Sequence, residues 1–131
     1  MRLVPTVLVV DDTASIRFLI RTNLELAGFE VREAVDGIDC IEQLRADAAA
    51  GTLPDAVTVD EMMPRQGGMV TVRAIRADPA LADLTVLMVT TQNMPMDIKR
   101  GMEAGADVYV TKPFDPDELI ATITDLIDSE G

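Results

Sequence analysis

The residues of this chain whose types could do chemistry stand at the ends of short apolar runs. These acids, hydroxyls and amine are Asp11, Asp12, Asp60, Thr90, Thr91 and Lys112. Runs this short and this rich in valine are typical of buried strands. The C-terminal ends of parallel strands meet at one edge of a sheet, where the ligand crevice forms. The sequence therefore predicts a site that combines three carboxylates with hydroxyl groups and an ammonium group.

Phosphoryl chemistry is the chemistry that this combination favours. Three aspartates in one crevice repel one another, and a divalent cation would relieve that repulsion. Mg²⁺ is the predicted ion, with Mn²⁺ as a substitute, because it binds through one or two carboxylates and uses phosphate oxygens as further ligands. Another carboxylate can then attack phosphorus, while Lys112 and the Thr90 hydroxyl neutralise and orient the transferring oxygens. Taken singly, each aspartate could instead be a turn former or a helix cap.

Composition excludes several other functions. The 131 residues include no histidine, which excludes histidine-based triads and imidazole proton shuttles. Neither Ser15 nor Ser129 has the glycine neighbours of a hydrolase nucleophile, and no glycine-rich phosphate loop is present. A formal charge of −12 and 3% aromatic residues disfavour direct contact with nucleic acid or anionic membranes. With a lone cysteine, Cys40, and no long apolar run, we expect a cytoplasmic protein with Cys40 in its core.

The elements that must position these residues alternate along the chain. Besides the three buried runs, alternating segments around residues 29–31 and 108–110 predict outer strands. Amphipathic spacing and end signals predict helices at 16–24, after Asp36, at 68–77, at 95–105 and after Asp115, with a loop at 48–53. Five strands alternating with five helices predict an α/β fold with a parallel sheet covered on both faces. We expect one domain at 1–131 and no output domain.

Five segments carry a family resemblance: residues 9–12 (VVDD), 59–64 (VDEMMP), 86–90 (VLMVT), 105–107 (GAD) and 109–114 (YVTKPF). Together they resemble the receiver domain of bacterial two-component response regulators, especially the short single-domain kind related to the chemotaxis regulators. The resemblance covers nearly the whole chain. It implies a flavodoxin-like (βα)5 fold with strand order 2-1-3-4-5. It also implies a protein that is not an enzyme beyond its own phosphoryl transfer and dephosphorylation.

The resemblance assigns the chemistry to particular residues. It implies that Asp60 accepts a phosphoryl group from the phosphohistidine of a sensor histidine kinase or a phosphotransfer protein. Asp12 would bind Mg²⁺ directly, with Asp11 close by and Asp60 as a shared ligand. The backbone carbonyl of Met62 would be a further ligand.

The resemblance also implies how the signal leaves the site. Lys112 would pair with the phosphoryl oxygens, and its peptide bond to Pro113 would be cis. Thr90 would move toward the phosphoryl group and Tyr109 would then swing inward. This change would reshape the face of the fourth helix, fifth strand and fifth helix, where we expect a downstream protein target to bind.

Some positions depart from the family pattern or tune it. Residues 67–68 are Gly-Gly where the family often has Asp-Gly, so we expect a weaker cap on the third helix. Thr91 stands where a smaller residue is commoner and would restrict the swing of Tyr109. Met62 and Gln92 flank the expected phosphoryl position and would tune the lifetime of the phosphorylated form.

Two alternative functions stay open at this point. A phosphatase of the haloacid dehalogenase kind would take its nucleophile from the first strand, but that motif needs two aspartates separated by one residue, and Asp11 and Asp12 are adjacent. A receiver-like module that is never phosphorylated would act through protein contacts alone. The full set of site residues argues against the second alternative.

Overall fold

The computed structural model describes residues 4–130 and contains five strands that alternate with five helices. The strands are β1 Thr6–Val10, β2 Glu30–Ala34, β3 Ala56–Val59, β4 Thr85–Thr90 and β5 Val108–Thr111. The helices are α1 Ala14–Leu26, α2 Gly37–Ala50, α3 Gly68–Ala77, α4 Pro95–Ala104 and α5 Pro116–Glu130. Neighbouring strands pair in parallel in the order β2-β1-β3-β4-β5. The predicted fold class and strand order are confirmed.

Apolar side chains fill both faces of the sheet, because successive residues of a strand point to opposite sides. In β1, Leu8 points to the side covered by α2, α3 and α4. Val7 and Val9 point to the side covered by α1 and α5. Cys40 on α2 is fully buried, as predicted, and burial raises the pKa of its thiol to about 12. Within residues 4–130, no helix combines the length and the apolar character needed to cross a bilayer.

The helix ends follow local signals, with one exception. Asp36 caps α2 as predicted, since its Oδ1 accepts a hydrogen bond from the backbone N–H of Asp39 at 2.9 Å. Asp115 Oδ1 accepts from the N–H of Asp117 at 2.9 Å, at the predicted start of α5. The prediction of a loop at 48–53 is wrong for its first three residues, because α2 continues to residue 50. The last residues of α2 are alanines, the best helix formers, and Gly51 then ends the helix with φ 72°.

Candidate functional site

Four neighbouring strands bring the predicted site residues to one edge of the sheet. Asp11 follows β1 and Asp60 follows β3, and the register places the last residues of these two strands side by side. Thr90 is the last residue of β4 and pairs with the last residue of β5, after which Lys112 follows. The short valine-rich strands thus end together, and the polar residues that follow them lie next to one another.

The three aspartates form a compact acidic cluster. One carboxylate oxygen from each of Asp11, Asp12 and Asp60 lies within 4.8 Å of the others. Asp11 and Asp60 are only 2% and 7% exposed, whereas Asp12 is exposed. Lys112 Nζ lies 2.7 Å from Asp11 Oδ2 and 3.5 Å from Asp60 Oδ2, so one ammonium group faces two buried carboxylates. The peptide bond between Lys112 and Pro113 is cis, the isomer that the resemblance implied.

Asp60 lies in a setting that disfavours its charge. Burial raises the pKa of its carboxyl above the ordinary value, and the charge of Asp11 acts in the same direction. The Lys112 ammonium and the Thr90 hydroxyl lower the pKa of Asp60 but do not cancel the effect of burial. Asp60 Oδ1 is buried and has no hydrogen-bond partner among the described residues. Buried polar atoms normally have partners, so this oxygen is suited to a cation or an electrophile.

The donor set fits magnesium. Mg²⁺ is a hard cation that accepts oxygen ligands, uses one or two carboxylates and retains several waters. Asp11, Asp12 and Asp60 supply carboxylates from two adjacent strand ends, and the exposed Asp12 keeps the cluster open to solvent. A calcium site would require more protein oxygens than this cluster offers.

A chain of contacts links Thr90 to Tyr109 through the loop after β4. Thr90 is fully buried, and its hydroxyl oxygen accepts a long hydrogen bond from the Gln92 N–H at 3.4 Å. The half-buried Tyr109 donates its hydroxyl to the Gln92 carbonyl at 2.7 Å. The tyrosine ring lies against Gly101 of α4, where a Cβ atom would come within 2.7 Å of ring carbon Cδ2. Gln92 therefore connects the two residues that were predicted to switch together.

The other flanking residues lie at the mouth of the site. Met62 is 58% exposed, and its sulfur accepts from Gln92 Nε2 at 3.2 Å. Thr91 is exposed and lies on the other side, at an apolar cavity of about 330 Å³ between α1 and the loop after β5. This cavity is lined by Ile16, Leu19, Thr91, Lys112, Pro113 and Phe114. The restriction of Tyr109 by Thr91 stays a prediction.

Glu61 received no role from its sequence position, yet its carboxylate lies at the start of α3. Glu61 Oε1 accepts from the backbone N–H of Met69 at 2.8 Å. The residue before α3, Gly67, has no side chain to cap the helix. The weak cap expected from residues 67–68 is thus compensated from across the loop. The absent capping side chain at position 67 was the one sequence signal that could have pointed to Glu61.

Two arginines also hold the site loops, and no sequence motif predicted them. Arg65 binds Asp36 through two hydrogen bonds, at 2.6 Å from Nε and 3.0 Å from Nη2, although its φ is 63°. The Arg65 guanidinium holds the pKa of Asp36 below its ordinary value. Arg17 Nη1 donates to the backbone carbonyl of Asp11 at 2.7 Å, and its Nε pairs with Glu33 at 3.0 Å.

Comparison with protein families and curated proteins gives consistent matches. The family model for the response regulator receiver domain matches residues 7–124. The chain is 39% identical over 124 residues to the DNA-binding dual master transcriptional regulator RpaA of Synechocystis sp., a match that covers 94% of this chain and 49% of that protein. It is 35% identical over 126 residues to the phosphate regulon transcriptional regulatory protein PhoB of Pseudomonas aeruginosa, a match that covers 96% of this chain and 53% of that protein. The chain therefore spans about half the length of these curated relatives.

Solved structures share the fold along nearly the whole chain. The receiver domain of the Francisella response regulator 1452 superposes with a TM-score of 0.87 at 28% identity, covering 97% of this chain and 99% of that one. The Vibrio cholerae chemotaxis protein CheY4 superposes with a TM-score of 0.83 at 32% identity, covering 94% of this chain and 98% of that one. Both are similar to this chain in length as well as in fold.

Proposed function

Because the chain belongs to the receiver domains of two-component response regulators, we propose that it is a switch that carries a phosphoryl group on Asp60. The observation that supports this most directly is the environment of Asp60 Oδ1. This oxygen is buried without a hydrogen-bond partner among the described residues, next to two further carboxylates and an ammonium group. A nucleophile that faces a phosphoryl group needs such an environment.

The proposed reaction transfers a phosphoryl group between proteins. An Asp60 carboxylate oxygen attacks the phosphorus of a phosphohistidine on a sensor kinase or phosphotransfer protein. The new P–O bond forms while the P–N bond breaks, and the imidazole leaves with the electron pair and takes up a proton. The product is an acyl phosphate. Water later attacks its phosphorus, which restores the carboxylate and releases inorganic phosphate.

Each neighbouring group has a part in this reaction. Asp11, Asp12, Asp60 and the backbone carbonyl of Met62 would hold Mg²⁺, which when bound offsets the negative charge of the carboxylates and the phosphoryl oxygens. Lys112 is held by Asp11 at 2.7 Å and stabilises the charge that develops on the transferring oxygens. The exposed side chain of Met62 and that of Gln92 restrict the access of water to the acyl phosphate.

Phosphorylation of Asp60 would change the surface of the protein at Tyr109 and α4 through Gln92. Thr90 accepts a bond from the N–H of this residue, and Tyr109 donates to its carbonyl. A movement of Thr90 toward the phosphoryl group therefore disturbs the residue that holds the tyrosine ring against α4. The exposed methionines of this region, Met94, Met96 and Met102, would offer adaptable contacts to a downstream protein.

Incubation with acetyl phosphate and Mg²⁺, followed by intact mass measurement, tests the proposal. We expect the wild-type chain and an Asp125→Asn control on α5 to gain one phosphoryl group, and Asp60→Asn to gain none. Because the chain has one tyrosine and no tryptophan, we also expect its tyrosine fluorescence to change on phosphorylation. A wild-type chain without an adduct would support the unphosphorylated interaction module. An adduct that persists in Asp60→Asn would place the nucleophile elsewhere.

The dehalogenase-like phosphatase is not favoured, because residues 7–124 match the receiver family. In that alternative the phosphorylated residue would lie after β1. Mapping the adduct by peptide mass after borohydride reduction of the acyl phosphate separates the two alternatives, since only one of them labels Asp60.

A further inference from the structure

We propose that Glu61 is a positioning residue of the metal site, which caps α3 from across the β3–α3 loop and thereby orients the Met62 carbonyl. The inference rests on the proposed function, because it takes the Met62 carbonyl as a ligand of Mg²⁺. Three hydrogen bonds to Glu61 and the glycine at position 67 support this role.

Glu61 satisfies both of the first two amides of α3. Its side-chain Oε1 accepts from the N–H of Met69 at 2.8 Å, and its backbone carbonyl accepts from the N–H of Gly68 at 3.2 Å. These amides belong to the first turn of the helix, where N–H groups have no partner within the helix. A carboxylate at this end is also favoured by the helix dipole. Residue 61 is therefore fixed to α3 through its side chain and its main chain.

The same carbonyl of Glu61 also fixes the next peptide group. It accepts a hydrogen bond from the N–H of Met63 at 3.1 Å. That N–H belongs to the peptide unit whose carbonyl is that of Met62. In a trans peptide the N–H and the C=O point in opposite directions, so fixing one fixes the other. The orientation of the Met62 carbonyl thus depends on the position of Glu61, and through it on α3.

Position 67 explains why the chain uses Glu61 for this purpose. Gly67 has φ −77° and ψ 173°, a conformation open to any residue, so the backbone does not require glycine there. A Cβ atom at this position would lie 3.1 Å from Glu61 Oε1 and 2.9 Å from the Glu61 carbonyl oxygen. A capping side chain at 67 and the Glu61 carboxylate therefore compete for one place. At Gly68, a Cβ atom would press on the backbone carbonyl of Asp60, so the first turn of α3 packs directly on the residue that carries the chemistry.

Two conservative substitutions separate the reach of Glu61 from its charge. Glu61→Asp keeps the charge but is one methylene shorter, so it loses the bond to Met69. Glu61→Gln keeps the length and an acceptor oxygen but loses the charge. We expect the Mg²⁺ dissociation constant, measured by titration calorimetry, to rise about tenfold in Glu61→Asp and by less in Glu61→Gln. Glu103→Asp, an exposed glutamate on α4, is the matched control and should bind as wild type does.

Hydrogen exchange tests the cap itself. Without metal, we expect the Met69 amide to exchange with solvent faster in Glu61→Asp than in the wild type, and to stay protected in Glu61→Gln, which keeps the acceptor oxygen. A capping side chain at position 67 offers no rescue, because its Cβ would lie 2.9 Å from the backbone carbonyl oxygen of Glu61 and would displace the loop itself.

The outcomes distinguish this inference from the proposed function. If the wild-type chain neither binds Mg²⁺ nor accepts a phosphoryl group, the proposed function is wrong. If the wild type does both, but Glu61→Asp retains full affinity or Glu61→Gln is the weaker binder, Glu61 acts through its charge or not at all and the positioning role is wrong. A Met69 amide that is equally protected in all variants would likewise contradict the cap.

Discussion

At the scale of single residues, the site depends on an ammonium group shared by two buried carboxylates. Lys112 has a side chain only 11% exposed, and the Asp11 side chain that it contacts is 2% exposed. Buried charges are tolerated when they are paired, and removal of one partner leaves the other uncompensated. Lys112 also opposes the effect of burial on the pKa of Asp60. One residue therefore affects both the stability of the fold and the ionisation of the nucleophile.

Replacement of Lys112 by methionine should lower the free energy of unfolding of the metal-free protein. Methionine keeps an unbranched apolar stem, so the loss comes from the charge. We expect the free energy of unfolding at pH 7 to fall by about 3 kcal/mol, as for a broken buried ion pair. Urea denaturation measures it. Lys99→Met is the control, since Lys99 is 70% exposed and reaches Glu103 only at 3.9 Å; there we expect less than about 0.5 kcal/mol. Equal losses in both variants would contradict the shared role.

Residue types and strand exits were enough to predict Asp11, Asp60, Thr90 and Lys112 as neighbours, because a parallel sheet brings its strand ends together. Glu61 could not be predicted in the same way. Its partner lies eight positions further along the chain, and the contact depends on the path of the intervening loop. A side chain in a loop has no periodic pattern that reveals its direction, so the glycine at position 67 could indicate a missing cap, but only the fold shows that Glu61 supplies it.

At the scale of elements, the β3–α3 loop is anchored at two points. Glu61 joins its beginning to α3, and Arg65 joins its later part to Asp36, the capping residue of α2. The positions of these two helices are therefore coupled to the loop that follows Asp60. Hydrophobic periodicity predicted both helices, since their apolar faces are set by packing on the sheet. It did not predict the anchors, which are polar contacts between a loop and helix ends.

The anchor at Asp36 should make stability depend on pH in acid. The Arg65 guanidinium is the main cause that lowers the pKa of Asp36 below 3.8. A carboxyl whose pKa is lower in the folded than in the unfolded chain stabilises the fold fully when the pH is above the unfolded-state pKa. This contribution is lost as the pH falls through the folded-state pKa. Asp36→Asn keeps a capping side chain but loses the ion pair. We expect wild type to have the higher urea midpoint at pH 7 and this difference to close below pH 3.8.

A second variant checks that the ion pair is responsible. Arg65→Gln removes the same ion pair from the other side. We expect its urea midpoint to be lower than that of wild type at pH 7, and this difference to disappear over the same acid range as for Asp36→Asn. A difference between wild type and Asp36→Asn that stays constant from pH 7 to below pH 3 would show that the Asp36 charge does not stabilise the fold.

At the scale of the whole molecule, the site exists only when the chain is folded. Lys112 and Asp11 are 101 positions apart in sequence, and the three aspartates come from two separate strand ends. The protein also has a formal charge of −12, and self-repulsion opposes its compact state. A cation that binds the acidic cluster binds the folded chain alone, so its binding free energy adds to stability.

Magnesium should therefore raise the midpoint of thermal unfolding, and the increase should depend on Asp12. At free Mg²⁺ a hundredfold above the dissociation constant, linkage gives about 2.7 kcal/mol, which for a domain of this size corresponds to about 10 °C. Because Asp12 is exposed, Asp12→Asn leaves the packed core unchanged while removing one ligand, and we expect it to lose most of the increase. Asp125→Asn, which removes the same charge far from the cluster, should retain it. Sodium chloride at equal ionic strength screens the surface charges without coordinating, so an equal increase in that salt would show that Mg²⁺ acts by screening and has no site in this cluster.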